Sequence, residues 1–311
     1  MSTPQQNVSR PVFKTAAFSL VLLTMALTGV KFYANNKAAK ELDAAIAGLS
    51  LFAKVTYEDV DFALLSQRLT ISKVTVSPGG LAALDKKGQN TSVKIRSILI
   101  DDALNLGARR IGLAVKGVEL DPAMFEAESA VKELGIRAPL LLDVGINLGI
   151  DVQEKELNLK SFSLRVQDLA ALSMGLKLGN LGLTEEMIDK IKNNPSDAMG
   201  MFVALTTATL SSAEFSYTDE SLAEKLMTKA AKEEKESIEK FKGGLIEKVK
   251  ASGRESEDEF VKGLVKPLSD FIATPRKISL KAAPKKPVPF GALMGLDSPE
   301  TVIRTLGIRV E

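Results

Sequence analysis

Three adjacent carboxylate pairs, Asp101-Asp102, Glu185-Glu186 and Glu233-Glu234, are the residues of this chain most suited to acid–base chemistry. Hydrolysis of a glycosidic bond needs two carboxyl groups facing each other across a cleft. Here the first pair falls at an expected strand end, the second in the first turn of an expected helix, and the third on a charged helix. Turn chemistry, the helix dipole and a solvated face account for them. Asp143, Asn147 and Asp151 recur every four residues, without the alternating spacing, glycine and distal glutamate of a calcium loop. No glycine-rich phosphate loop or dinucleotide fingerprint occurs. Asn7-Val-Ser9 and Asn90-Thr-Ser92 match glycosylation sequons, which matter only in a eukaryotic secretory setting.

Composition excludes more. The 311 residues include no Cys, His or Trp. Without Cys there is no disulfide, thiolate nucleophile or Cys-based zinc site. Without His there is no Ser-His-Asp triad and no imidazole ligand. A net charge of +2 argues against a bulk nucleic-acid binder. Aromatics at 5% leave little for stacking on bases or sugars, while 45% apolar residues suffice for a sizeable core. The sequence therefore points to no catalytic residue, no cofactor, no metal and no enzyme.

The elements that would position any site begin with an apolar run. Residues 15–30 carry no charge, and the span from Pro11 to Tyr33 is flanked internally by Lys14 and Lys31. About 20 helical residues cross a hydrocarbon core of roughly 30 Å. Phe18, Leu20, Leu22, Leu23 and Leu27 would form its apolar body, with Phe13, Phe32 and Tyr33 at the interfaces. A cleaved signal is the alternative, but cleavage after Ala34 puts Phe32 at the position that needs a small residue, and cleavage after Thr28 leaves Thr at the junction. A core helix is the third reading. The uncleaved anchor is preferred, with residues 1–10 as a cytoplasmic tail. Lysines on both sides leave orientation undecided by charge alone; a short basic tail before the run favours N-inside. The expected location is a bacterial inner membrane, single-pass, with the C-terminal domain in the periplasm.

Residues 34–50 read as a juxtamembrane helix with Leu42, Ile46 and Leu49 on one face. From residue 51 to 218 the period becomes two. One pattern, apolar-x-apolar, two residues, apolar-x-apolar, recurs as Leu69-Thr-Ile71-Ser-Lys-Val74-Thr-Val76, Val93 to Ile100, Leu113 to Leu120, Leu157-Asn-Leu159-Lys-Ser-Phe162-Ser-Leu164, and Leu176 to Leu183. Two inserted residues reverse the face of a strand unless a bulge absorbs one, so these predict bulged strands that keep one apolar face. Leu142, Val144, Ile146, Leu148 and Ile150 alternate without a break. Short connections favour antiparallel pairing. Helices are expected over 123–134, 184–192 and 196–205, then through a helical section at 219–273. That section should bend at Gly243-Gly244, resume at a capping box of Ser256 and Glu259, and kink at Pro267. Residues 274–311 read as a strand, a Pro-rich link, a short helix after Ser298-Pro299-Glu300 and a final strand.

The predicted fold class is α+β: a transmembrane helix, then a twisted antiparallel β-sheet with helices packed on one face. With Val55-Thr-Tyr-Glu-Asp-Val60, Arg68 to Val76 and the later copies of that strand pattern, residues 11–185 resemble the AsmA-like group of bacterial envelope proteins. The resemblance implies a membrane-anchored periplasmic sheet with a lipid-facing groove or a structural role, and no catalysis. The candidate apolar face comprises Leu69, Ile71, Val74, Val76, Leu142, Val144, Ile146, Leu148, Leu157 and Leu159. The expected function is non-enzymatic binding or guiding of membrane lipid along that face. The alternative is a structural or assembly subunit with an envelope protein partner. Nucleic acid is not expected.

Overall fold

The computed structural model of the chain describes residues 42–43, 46–47, 53–63, 66–78, 92–102, 110–122, 128–182, 184–186, 207–293 and 299–311. The strands are β1 (Ala53–Thr56), β2 (Asp59–Ala63), β3 (Arg68–Pro78), β4 (Val93–Asp101), β5 (Arg110–Leu120), β6 (Leu140–Asp151), β7 (Glu156–Val166), β8 (Ala170–Gly179), β9 (Thr209–Asp219), β10 (Lys277–Ala282), β11 (Val288–Pro289) and β12 (Arg309–Val310). They form one sheet in the order β1-β3-β4-β5-β6-β7-β8-β9-β10-β12, with β2 also on β3 and β11 also on β9. Each of these pairings is antiparallel. Local chemistry sets the hairpins. After β6 the Asp151 carboxylate accepts the N–H groups of Gln153 and Glu154 at 3.0 Å, and Lys155 takes a left-handed φ of 53°. This is the Asx-turn geometry that Asp favours.

Bulges keep the apolar residues in phase. In β5, Val115 and Val118 face Val144 and Leu142, so Lys116 and Gly117 together oppose Asp143. Gly117 has φ +64°, which suits a residue without Cβ, and its N–H donates to Asp143 Oδ1 at 2.7 Å. In β7, Lys160 and Ser161 lie between Leu159 and Phe162 and oppose Gly175 alone. The inserts of β3 and β4 instead face each other, Ser72 against Ser97, with no shift of register. The fifth copy of the pattern is not a bulged strand: β8 ends at Gly179, and Asn180 turns away at φ 50°.

Two hydrophobic cores result. The first holds Leu69, Ile71, Val74, Ile95, Ile98, Ile100, Val115 and Val118, with Leu42 and Ile46 packed on it. The second holds Leu157, Leu178, Leu181, Ala208, Leu210 and Leu306, flanked by Leu148, Leu159, Leu176, Ala213, Ala282 and Val302. Burying each large aliphatic side chain contributes about 1.5–3 kcal/mol before entropy is counted.

The helices are α1 (Glu128–Glu133), α2 (Leu222–Glu233), α3 (Ile238–Glu255), α4 (Glu259–Ala273), α5 (Phe290–Leu293) and α6 (Pro299–Leu306). The break in the helical section falls at 234–237, not at Gly243-Gly244. Lys235 is left-handed at φ 57°, Glu236 N–H bonds Ala231 O, and Lys235 N–H bonds Lys232 O, closing a Schellman stop. Ser237 then caps α3 by accepting Lys240 N–H. The glycine pair stays helical inside α3. The α4 cap is Asp258, which accepts Phe260 N–H at 2.8 Å, while Ser256 accepts Asp258 N–H and ends α3, so the expected capping box does not form.

Two expectations are corrected. The fold is dominated by antiparallel sheet, and α2–α4 do not layer one face of it: α4 packs on β10 and β12 at one end, α3 on α4, and α2 on α3. Among the described residues no helix is long and apolar enough to cross a membrane. The helices are short or interrupted by charge; α3 has 18 residues but carries lysines and glutamates throughout. The single-pass anchor in a bacterial inner membrane, with a periplasmic domain behind it, is therefore not supported. The segment 11–33 that carried the expectation, with Phe18, Leu20, Leu22, Leu23 and Leu27, lies outside the described residues, as do 187–206.

Gly253 packs tightly against α4. A Cβ built there would lie 2.1 Å from Val265 Cγ2, whereas Gly243 and Gly244 have open space. Gly253→Ala should destabilise the protein by about 1–3 kcal/mol through overpacking. Gly243→Ala should stabilise it by up to about 1 kcal/mol through helix propensity. Urea midpoints of the two variants should move in opposite directions.

Candidate apolar ligand face

The strand registers line up one apolar row across the sheet. Phe62 faces Leu69, Leu69 faces Ile100, and Ile100 faces Leu113. Leu113 then faces Ile146, Ile146 faces Phe162, and Phe162 faces Met174. Met174 faces Phe215, Phe215 faces Leu280, and Leu280 faces Val310 on the last strand. Directly paired residues point to the same side of a sheet. The row is therefore an unbroken apolar line running perpendicular to the strands.

Burial changes along it. Phe62, Leu69 and Ile100 are buried in the first core. Leu113, Ile146 and Phe162 are half-buried, and Met174, Phe215 and Leu280 are 39%, 43% and 42% exposed. The reason lies in what sits on either side. Leu142 and Val144 of the neighbouring rows lean on the first core, while Leu148, Leu159, Leu176, Ala213 and Ala282 lean on the second. The stretch from Ile146 to Leu280 belongs to neither core, so it is the seam between them. With adjacent strands about 4.8 Å apart, its four steps from β6 to β10 span about 19 Å.

Of the candidate residues, Leu69, Ile71, Val74, Val76 and Leu157 are closed within the cores. Leu142, Val144, Ile146, Leu148 and Leu159 are half-buried beside or within the seam. Met174, Phe215 and Leu280 were not singled out from sequence, though each alternates with polar or small neighbours in its own strand. The signal that could have found them is cross-strand register, which needs the bulge positions first.

Tyr217 borders the seam from the next row, paired to Leu172 and Ile278. Its ring meets Phe271 of α4 edge-on at 5.8 Å. Its hydroxyl donates to Asp219 Oδ1 at 2.6 Å, and the same oxygen accepts Ala223 N–H at 2.7 Å, which ties the start of α2 to the strand end. Desolvation, then the bond to Asp219 and its charge, push the Tyr217 phenol far up. The opposite side of the sheet is polar. Ser163, Ser173, Ser216 and Ser279 face one another in sequence across four strands, and Ser173 and Ser216 share a hydrogen bond of 2.7 Å.

The described residues offer little for reaction chemistry. No group of three or more Asp or Glu among them could hold a metal ion. Asp101 is paired to Arg68 at 2.6 Å, and Glu233 lies near Lys229 on its own helix. A cleft of about 360 Å³ between α3 and α4 is lined by Lys250, Gly253, Arg254, Lys262 and Val265. Its lysines already pair with Glu247 and Glu259.

A family model described only as "Uncharacterized protein" matches residues 163–311. The match starts inside β7, leaves out the first core, and takes in the exposed part of the seam with all of α2–α6. No curated protein matches the chain.

Tyr57 anchors the opposite end of the sheet. Its hydroxyl donates to Asp43 at 2.7 Å, and burial followed by that bond and charge raises the phenol from 10.0 to about 12. A raised folded-state value favours the protonated phenol. This stability contribution is complete below about pH 10 and is lost as pH rises through about 12. Tyrosinate absorbance of the folded protein should show a step near pH 12 that Tyr57→Phe removes and that shifts to about pH 10 in denaturant. An unchanged step in Tyr57→Phe would contradict the assignment.

Proposed function

We propose that this protein is a non-enzymatic binder that holds or guides a lipid acyl chain along the seam. The observation that carries the reading is the unbroken apolar row whose Met174, Phe215 and Leu280 remain 39–43% exposed between two closed cores. Soluble folds rarely leave a contiguous line of large apolar side chains uncovered without a ligand or partner for it. An acyl chain matches in shape and chemistry. It is narrow, apolar and without hydrogen-bonding groups, and one leaflet of a bilayer's hydrocarbon core is about 15 Å deep, comparable with the seam. Of the helices, α4 packs on β10 and β12, while α2 starts at the β7–β8 turn, where the Ser221 and Leu222 N–H groups bond Leu169 O, and reaches α1 through Lys229 and Glu133. The AsmA-like resemblance is a reading of the strand pattern alone. Neither the family match nor the search of curated proteins bears on it.

Titration of detergent-free protein with a fluorescent fatty acid should saturate. Removing an apolar side chain from the contact costs about 1.5–3 kcal/mol, and 1.4 kcal/mol is tenfold in affinity, so Phe215→Ser and Met174→Ser should each weaken binding at least about tenfold. Ser212→Ala, on the polar side, should leave it unchanged. If both seam variants bind like the wild type, the seam is not the site. If no fatty acid binds and the chain instead forms concentration-dependent oligomers that Phe215→Ser dissolves, the row is a protein interface.

A further inference from the structure

The row ends at a sheet edge of unusual charge. The whole chain has a formal charge of +2, yet residues 274–289 hold Arg276, Lys277, Lys281, Lys285 and Lys286 with no acid, so the remainder is net −3. Topology places this stretch along one side of β9: β10 runs beside residues 213–218, the loop 283–287 follows, and β11 continues beside residues 209–210, with β12 outside β10 at residues 280–281. Arg309 of β12 pairs opposite Lys281 on the same edge, and Arg304 lies in α6 just before it. Lys281 is bridged to Glu311 at 2.6 Å. Arg276, Lys277, Lys285, Lys286, Arg304 and Arg309 are exposed and make no salt bridge with another described residue. The lysines of α3 and α4 contrast with them, since Lys240, Lys250, Lys262 and Lys266 each pair with a carboxylate one turn away. A solvated face normally interleaves its charges as those helices do.

Two large apolar side chains share the edge. Leu280 lies between Ser279 and Lys281 at 42% exposure, and Phe290 follows β11 at 39%. Lys277, Lys281 and Arg309 alternate with Leu280 and lie on the serine side, where Glu311 acts on all three, whereas Arg276 shares the side of Leu280 and Lys285 and Lys286 lie in the loop. An edge with a cation excess and exposed Leu and Phe is the combination that binds an anionic bilayer surface, where the cations meet phosphate and carboxylate headgroups and the apolar groups enter the interface. A nucleic acid would use the cations but gives no role to Leu280. We infer that the β10–β11 side of the sheet docks on an anionic lipid surface and brings the Leu280 end of the seam to it. The inference rests on the acyl-chain reading for its purpose but not for its test.

The chain has no cysteine, so a single introduced thiol is labelled uniquely. A fluorophore on Ala283→Cys, exposed on this edge, is compared with one on Ala63→Cys, exposed on β2 at the opposite edge. Full-length protein is mixed with phosphatidylcholine vesicles, with or without a minority of phosphatidylserine, carrying a nitroxide-headgroup lipid. Docking predicts quenching at position 283 with the anionic vesicles, loss of that quenching in high salt, and loss in a Lys285→Glu/Lys286→Glu background. Position 63 should stay unquenched throughout. No quenching at 283, equal quenching at 63, or quenching indifferent to charge reversal overturns the proposal. So does charge-dependent binding of a single-stranded oligonucleotide with no vesicle quenching. Because the readout is local and uses no fatty acid, it can fail while Phe215→Ser still abolishes acyl-chain binding, and the reverse also holds.

Discussion

The structure depends on the phase of the antiparallel ladder. Each strand has a side-chain period of two, so one unpaired residue would send every apolar side chain beyond it to the wrong face. The pairs Lys116-Gly117 and Lys160-Ser161 would do this, and a bulge at each absorbs the slip. At the first, the carboxylate of Asp143 accepts the N–H of Gly117, a backbone donor that the ladder would otherwise leave unpaired. Because phase is kept, Leu113 still faces Ile146, Ile146 faces Phe162, and a single apolar line crosses the whole sheet.

A sheet this wide does not bury such a line evenly. Leu42 and Ile46 lie over one part of it, and Val302 and Leu306 of α6 over another. Each covers the rows nearest to it. The seam is what neither reaches. Its exposure is a consequence of two separate cores sharing one continuous face, and the same geometry makes it long and narrow. Tyr217 and Phe271 mark where the helical section begins to cover the adjoining row.

Much of this was legible in the residues. The alternation from Leu142 to Ile150 defines β6, and the inserted pairs in β5 and β7 announced bulges before any pairing was known. Other features were hidden for physical reasons. Gly243-Gly244 looks like a helix break, but nothing crowds it and it stays helical. The true stop is Lys235, a residue type that seldom adopts the left-handed turn. The capping box expected at Ser256 and Glu259 is absent because Ser256 ends α3, which leaves Asp258 to cap α4. The candidate face divides between closed and half-buried residues. Leu69 and Ile146 have the same pattern in sequence, yet one is closed in a core and the other borders open space, because elements remote in sequence decide which rows are covered.

The central claim is that an acyl chain lies along the seam, and photo-crosslinking tests it most directly. A fatty acid with a diazirine in its chain, irradiated with the full-length protein and mapped by peptide mass spectrometry, should label Ile146, Phe162, Met174, Phe215 and Leu280. Labelling concentrated on the serine side of the sheet, on the exposed Leu226 of α2, or nowhere above background would contradict it.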